Sequence, residues 1–352
     1  MKEEYHDNLL IDELKNKCVE ELSDHYNAGV PDFAMERLNA ELKYINSAEK
    51  AEPFILLKEL YEEARKRGQL IMTDGSSAGS MLVFLLGGKW INPLPAHYYC
   101  ETCGKYELVE DVVFGIDLPA KKCSGCGKKM RKDGFSIPHE MIWREKHKGI
   151  MPIEYRCSGD CLPYAVNIAK GFYGNRKEIR IAEIDLLSRI CLEEVHSSKT
   201  VGEMLKEYDT VVTAEEIIDT GFLTDDEMID IKHCKKYYDM ACALVYSHNT
   251  YENAECFDAG NLAGSNKDEV FFREEIYEIL KKEGYDDLLS AKVSELIWLG
   301  KGVNLGTELK TVELPERIQN IGKRCVYLFP RGFAAQLLVS LIVLVKYKKL
   351  SF

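Results

Sequence analysis

Apolar residues recur at helical spacing over both ends of the chain, and a different texture lies between them. "NLLIDELKNKCVEEL" places Leu10, Leu14, Cys18 and Leu22 on one face of a predicted helix. "PDFAMERLNAELKYI" repeats that period with Met35, Leu38, Leu42 and Ile45. "EPFILLKELYEEARKRG" predicts a third helix, with Pro53 in its first turn and Gly68 ending it. "LIMTDGSSAGSMLVFLLGG" then reads as a short strand, a small-residue turn and a helix entered at the serines. Residues around 90–140 break the period with prolines, lysines and four cysteines in two pairs. "MPIEYRCSG", at 151–159, reads as a short strand carrying one carboxylate, Glu154. From about 213 onward "TAEEIID", "DDEMIDIKHCKKYYDMACALVY", "VFFREEIYEILKKEG" and "LLSAKVSELIWLG" predict helices again. The sequence holds no internal repeat and no low-complexity tract.

Composition narrows this picture. The chain has 352 residues, 46% of them hydrophobic, enough for a sizeable core or for two to three ordinary domains. Its formal net charge of −12 disfavours unaided binding to a polyanion, so contact with nucleic acid would need a locally basic face. The N-terminal "MKEEYHDNLLIDELKNK" lacks the apolar stretch of a signal peptide. "FAAQLLVSLIVLV", the most apolar segment, is well short of the roughly 20 residues a membrane span requires, and predicts a buried helix. Twelve cysteines without a secretory signal point to a reducing, cytoplasmic setting with metal binding or plain burial.

Candidate chemistry concentrates in three places. Cys100-x2-Cys103 and Cys123-x2-Cys126 are separated by a loop, and two such turns can complete a closed S4 site for structural Zn2+. An iron site, or a module that has lost its metal, is the alternative. Gly104, Gly125 and Gly127 stand where these turns need a relaxed backbone. The flank of Lys121, Lys122, Lys128, Lys129, Arg131 and Lys132 is the strongest basic cluster. It reads equally as a phosphate contact and as a solvated surface offsetting thiolate charge. The turn Gly75, Ser76, Ser77, Gly79, Ser80 could cradle a phosphate on backbone amides, or be a tight turn with serine caps. The remaining cysteines, Cys18, Cys157, Cys161, Cys191, Cys234, Cys242, Cys256 and Cys325, are expected as buried free thiols.

Several segments together resemble one family, the PolC-type replicative DNA polymerases (bacterial DNA polymerase III alpha subunits, family C). "INPLPAHYYCETC" and "FGIDLPAKKCSGCGKKMRKDGFSIPHE" resemble that family's zinc segment. "ERLNAELKYI", "DGSSAGSMLVFLL" and "AEIDLLSRIC" resemble its palm. "EEIYEILKKEGYDDLLSAKVSELIWLGKGV" and "RCVYLFPRGFAAQLLVSLIVLVKY" resemble its fingers. The resemblance implies a Gly-Ser loop, here Gly75 and Ser76, that holds a triphosphate, and an Asp-x-Asp pair plus a third Asp that hold two metal ions. The departures fall on that chemistry. Pro152 takes the first Asp position and Glu154 the second, with Asp160 the next acid along. Asp74 replaces an arginine before the loop, and Leu299-Gly300-Lys301-Gly302 keeps one lysine of a Lys-Gly-Lys-Gly segment. Arg331 keeps the charge of the fingers motif, whereas Phe333 replaces its histidine; Asp226 is the candidate third acid. By the same resemblance, no phosphoesterase or exonuclease region precedes the palm, and the chain ends within the fingers.

The resulting expectation is an α+β fold: a nucleotidyltransferase-like palm, an inserted four-cysteine zinc module and a helical fingers-like C-terminal region. Its segments are 1–90 with the Gly-Ser loop, 91–140 as the zinc module, 141–212 as the rest of the palm and 213–352 as the fingers. Three functions are compatible: a binding module for nucleic acid or a replication protein without polymerase activity, a nucleotidyltransferase with an altered metal site, and a mimic of a replicase subunit. Zn2+ is expected as a structural ion, Mg2+ is not, and no membrane contact is expected. Oligomeric state stays open.

Overall fold

The computed structural model describes residues 2–143, 153–157, 162–173, 211–246, 270–309, 312–325 and 327–350. Three helices open the chain: α1 (Lys2–His25), α2 (Asp32–Leu42) and α3 (Ala48–Lys66). Their periodic residues Leu14, Cys18, Leu22, Leu38, Phe54 and Leu57 close on a short helix, α4 (Met81–Leu86), every residue of which is buried. That burial explains why "MLVFLL" has no polar face. Helix α3 starts at Ala48, so Pro53 lies inside it rather than in its first turn. Fully buried Ala51 ties the extra turn to the core, which outweighs the hydrogen bond that proline forfeits.

Two small sheets follow. Strand β1 (Ile71–Asp74) pairs antiparallel with β5 (Glu154–Cys157). The second sheet has the order β3-β2-β4, from β2 (His97–Tyr99), β3 (Tyr106–Leu108) and β4 (Arg131–Asp133), so β3 is an edge. Beyond them lie α5 (Leu162–Tyr173), α6 (Ala214–Ile218), α7 (Asp225–Ile231) and α8 (Tyr237–Tyr246). The C-terminal helices are α9 (Arg273–Lys282), α10 (Asp287–Trp298), α11 (Leu305–Leu309), α12 (Glu316–Arg324) and α13 (Arg331–Leu350).

The largest core joins β1, the segment between β2 and β4, helices α6–α8 and α13. Met72 of β1, Trp90, Phe114, Phe135 and the buried face of α8 surround Ala334, Leu338, Leu341 and Val345 of α13. The apolar C-terminal run is thus a buried helix, and among the described residues no helix is long and apolar enough to cross a membrane. Helix α13 also packs on the 3-10 turn Gly75–Gly79, where a Cβ on Gly332 would lie 3.1 Å from the Gly79 nitrogen. Of the expected free thiols, Cys18, Cys234, Cys242 and Cys325 are buried.

Candidate metal centre and the Gly-Ser loop

The four cysteines converge. Cys100, Cys103, Cys123 and Cys126 place their Sγ atoms within 4.8 Å of one another, with Cys100–Cys126 at 3.4 Å and Cys103–Cys123 at 3.6 Å. A tetrahedral ion with metal–sulfur bonds of about 2.3 Å requires sulfur–sulfur spacings of about 3.8 Å, so the donor set fits one metal ion such as zinc. Each pair is built alike. The Cys100 N–H donates to the Lys105 carbonyl and Gly104 to the Cys100 carbonyl; Cys123 donates to Lys128 and Gly127 to Cys123. Gly104 (φ 73°) and Gly127 (φ 72°) hold the left-handed conformation that reverses each turn. Backbone N–H groups of Cys126 and Gly125 pull the Cys123 thiol down to about 6. A thiolate at that position is ready for a cation.

The module is clamped to helices on two sides. His25 at the end of α1 pairs with Asp133 at 2.7 Å, and the Tyr26 hydroxyl meets His97 Nε2 at 3.0 Å. The Tyr99 hydroxyl accepts from the Ala28 amide and donates to the Gly29 carbonyl. Burial alone would raise the Asp133 carboxyl, but His25, Arg131 and His97 hold it well below the usual range. On the other side, Asp117 accepts from the Tyr237 and Tyr238 amides at 2.7 and 2.9 Å and so caps α8.

The basic flank divides. Arg131 turns inward: it donates to Glu101 and to the His25 carbonyl and stacks over Tyr26 and Tyr99. Lys132 donates to the Ile116 carbonyl at 2.9 Å, and burial lowers its pKa. Lys121 pairs with Glu107 and lies over the Tyr98 ring. Lys122, Lys128 and Lys129 are exposed. Six residues that one sequence run groups together therefore take two different environments.

At the Gly-Ser loop, the cap on α4 is neither a serine nor open to a phosphate. Glu41 of α2, fully buried, brings its carboxylate to the start of α4 and accepts from the Met81 amide at 2.9 Å and the Ser80 hydroxyl at 2.7 Å. Arg37, one turn earlier, donates to Glu41 at 2.6 Å and to the carbonyls of Gly79 and Ile137. An internal anion thus takes the place the sequence offered to an external one, because the helix start is buried and must be satisfied from within. Gly75 (φ 64°) and the Ser76 backbone remain in the 3-10 turn before it. Sequence reasoning missed Glu41. The Arg37–Glu41 spacing reads as an ordinary i, i+4 pair, and nothing local shows where its second side points.

Arg331 is also engaged internally. It is fully buried, with its guanidinium on Glu278 at 2.7 and 3.0 Å and on the Ser136 carbonyl, and its amide on Glu274 at 2.8 Å. Phe333 stacks on Phe329 at 5.6 Å. Lys301 is exposed at the entry to the turn Gly302–Asn304. The β1–β5 register sets Glu154 directly opposite Asp74. Pro152 and Asp160 lie outside the described residues. Asp226 is exposed in the first turn of α7, and its charge, after burial, helps raise the Asp230 carboxyl to about 6. Among the described residues the four cysteines form the one group of three or more His, Cys, Asp or Glu side chains close enough to share a metal, and Asp226 joins none.

Comparison with known proteins finds similarity over the N-terminal part of the chain. Residues 12–152 match the family model of the bacterial DNA polymerase III alpha NTPase domain. The chain is 31% identical over 179 residues to a "DNA polymerase III PolC-type" of Caldanaerobacter subterraneus, covering 50% of this chain and 13% of that protein. It is 32% identical over 164 residues to the protein of that name from Oceanobacillus iheyensis, covering 46% and 12%. The Thermotoga maritima protein of the same name is 29% identical over 177 residues, covering 50% and 13%. The matches therefore span a small fraction of each relative.

Proposed function

Because this chain is a relative of the PolC-type DNA polymerases III, we propose that it keeps their scaffold as a nucleic-acid-binding module and does not itself extend a primer. In this reading β1, β5 and the Gly-Ser turn form a nucleotidyltransferase-like palm. Residues 91–140 are a zinc module held by Cys100, Cys103, Cys123 and Cys126, and 213–352 are fingers-like. The observation that carries the reading is Arg331. The cation that would meet a triphosphate is buried and neutralised by Glu278, with Glu274 on its amide. Pro152 and Glu154 at the metal-holding positions support it: proline offers no ligand, and two-metal chemistry needs convergent carboxylates. Primer extension with Mg2+ or Mn2+ tests it. No product is expected; extension that Glu154→Ala abolishes would overturn the proposal.

One observation favours a second reading, a nucleotidyltransferase with an altered metal site. The register opposes Glu154 and Asp74 at the end of β1 next to Gly75, two acidic positions beside the loop. Calorimetry with a deoxynucleoside triphosphate and Mn2+ separates the two: binding heat lost in Glu154→Ala supports the enzyme, and no heat removes it. The net charge of −12 leaves a protein partner as the outcome if nucleic acid does not bind.

A further inference from the structure

We infer that the tips of the two cysteine turns form a contact surface for single-stranded nucleic acid, made by Lys105, Lys122, Lys128 and Lys129 with Tyr106 as a stacking platform. This rests on the nucleic-acid-binding reading above and assigns it a face. Lys105, which belongs to no basic run in the sequence, is placed here by the fold, and Tyr106 follows it at the start of β3.

The two turns are structural copies, each ending Cys-Gly-Lys, so Lys105 and Lys128 occupy equivalent positions. Lys105 lies across the second turn: its Nζ is 3.4 Å from the Ser124 hydroxyl, and a Cβ on Gly125 would meet its Cδ at 3.3 Å. Lys122 and Lys129 stand directly opposite each other on an antiparallel bridge. Like charges at such a position repel and destabilise the pair. A polyanion lying along this bridge would contact Lys122 and Lys129 together.

Charge counting supports an anionic partner. Four thiolates around one divalent ion carry a formal charge of about −2. Lys105, Lys122, Lys128 and Lys129 are all exposed and exceed it. Glu107 and Glu101 are paired with Lys121 and Arg131, and the exposed Glu110 and Asp111 follow β3, outside the two turns, so the positive excess holds for the turns and not for the whole module. Arg131 and Lys132, by contrast, are turned into the module and belong to its clamps, not to this surface.

The choice of a single strand comes from β3. It is the edge of its sheet, and Tyr106 on it is 42% exposed, packed on one side by Phe33 at 5.2 Å. An exposed ring on an edge offers a face to an unpaired base, whereas a duplex hides its base faces.

The test is fluorescence anisotropy with a labelled oligothymidylate of about 20 nucleotides and its duplex, at salt from about 50 to about 200 mM. Four phosphate contacts give a slope of log K against log salt near −2.8, so the native protein weakens about 50-fold over that range. Replacing the four lysines with Gln removes about 2.8 from the slope. Lys105→Gln with Lys128→Gln removes about half of that. Lys66→Gln, an exposed lysine on α3, leaves the slope unchanged. Tyr106→Ala weakens single-strand binding at least about fivefold at constant slope. Unaltered metal content and circular dichroism establish that the variants are folded. If the quadruple variant binds with the native slope, this surface is wrong while the binding reading stands. If the native protein binds neither oligonucleotide at low salt, the binding reading falls as well. Equal affinity for duplex with no effect of Tyr106→Ala would overturn the single-strand assignment alone.

Discussion

Glu41 offers the sharpest test of how this fold is held. Its carboxylate is fully buried and serves two groups at once, the Arg37 guanidinium on its own helix and the amide end of α4. Glu41→Ala leaves Arg37, 9% exposed, without its charge partner. It also leaves the Met81 amide and Ser80 hydroxyl without acceptors. Removing one partner of a buried ion pair costs about 3–5 kcal/mol, and a lost helix cap about 1 kcal/mol. Part of the second figure is contained in the first, which gives about 4 kcal/mol. For a chain of this length each kcal/mol lowers the melting temperature by about 1.4 °C, so a fall of about 5–6 °C is expected. Arg37→Ala alone should cost about 3 kcal/mol, since Glu41 keeps its helix-end donors but remains a buried charge. The double variant removes both charges and should cost less than the sum by about 2 kcal/mol. Urea titration of the four proteins measures the cycle. A Glu41→Ala cost below about 1 kcal/mol, or a coupling below about 0.5 kcal/mol, would refute the reasoning.

Other outcomes follow from the same geometry. Purified protein should carry one metal ion per chain by elemental analysis, and Cys103→Ser or a strong chelator should remove it and lower the melting temperature, because binding energy at a closed site is folding energy. Gly115→Ala should destabilise by more than about 3 kcal/mol in denaturant titration, since its Cβ would lie 1.8 Å from the Asp133 carbonyl oxygen, where only backbone could yield. Asp230, its carboxyl raised to about 6 by burial and by Asp226 and Glu227, is costly when ionised. The folded state then holds a proton that the unfolded state has released between the ordinary aspartate range and pH 6, so this group's stability is present at low pH and lost as pH rises through about 6. Asp230→Asn should therefore raise the melting temperature at pH 7 and change it little at pH 4; the reverse ordering would contradict the assignment.

Much of the scaffold was legible because its signals are local. The periods of Leu14–Cys18–Leu22 and Leu38–Leu42 announced α1 and α2, and those residues pack where the period placed them. The cysteine site was legible for the same reason: two Cys-x2-Cys-Gly turns each need only six residues to aim their thiolates. In the structure Thr213–Glu216 and Thr224–Glu227 form reciprocal caps that start α6 and α7, beyond the helical period read there. Pro53 misled because a buried turn ahead of it overrode the local preference.

Side-chain assignments across long separations behave otherwise. Identity and spacing determined the helices, the four-cysteine cluster and the match of residues 12–152 to the family model of the bacterial DNA polymerase III alpha NTPase domain. The tertiary structure alone decided which charges are committed inside. Arg331 meets Glu278, a partner 53 residues away; Glu41 meets Met81 across 40; Arg131 meets the carbonyl of His25 across 106. A sequence window registers each of these as one more polar residue. Desolvation is what separates them from Lys105, Lys122 and Lys128, because a charge taken out of water must find its counter-charge in the fold, while one left in water stays available to a ligand.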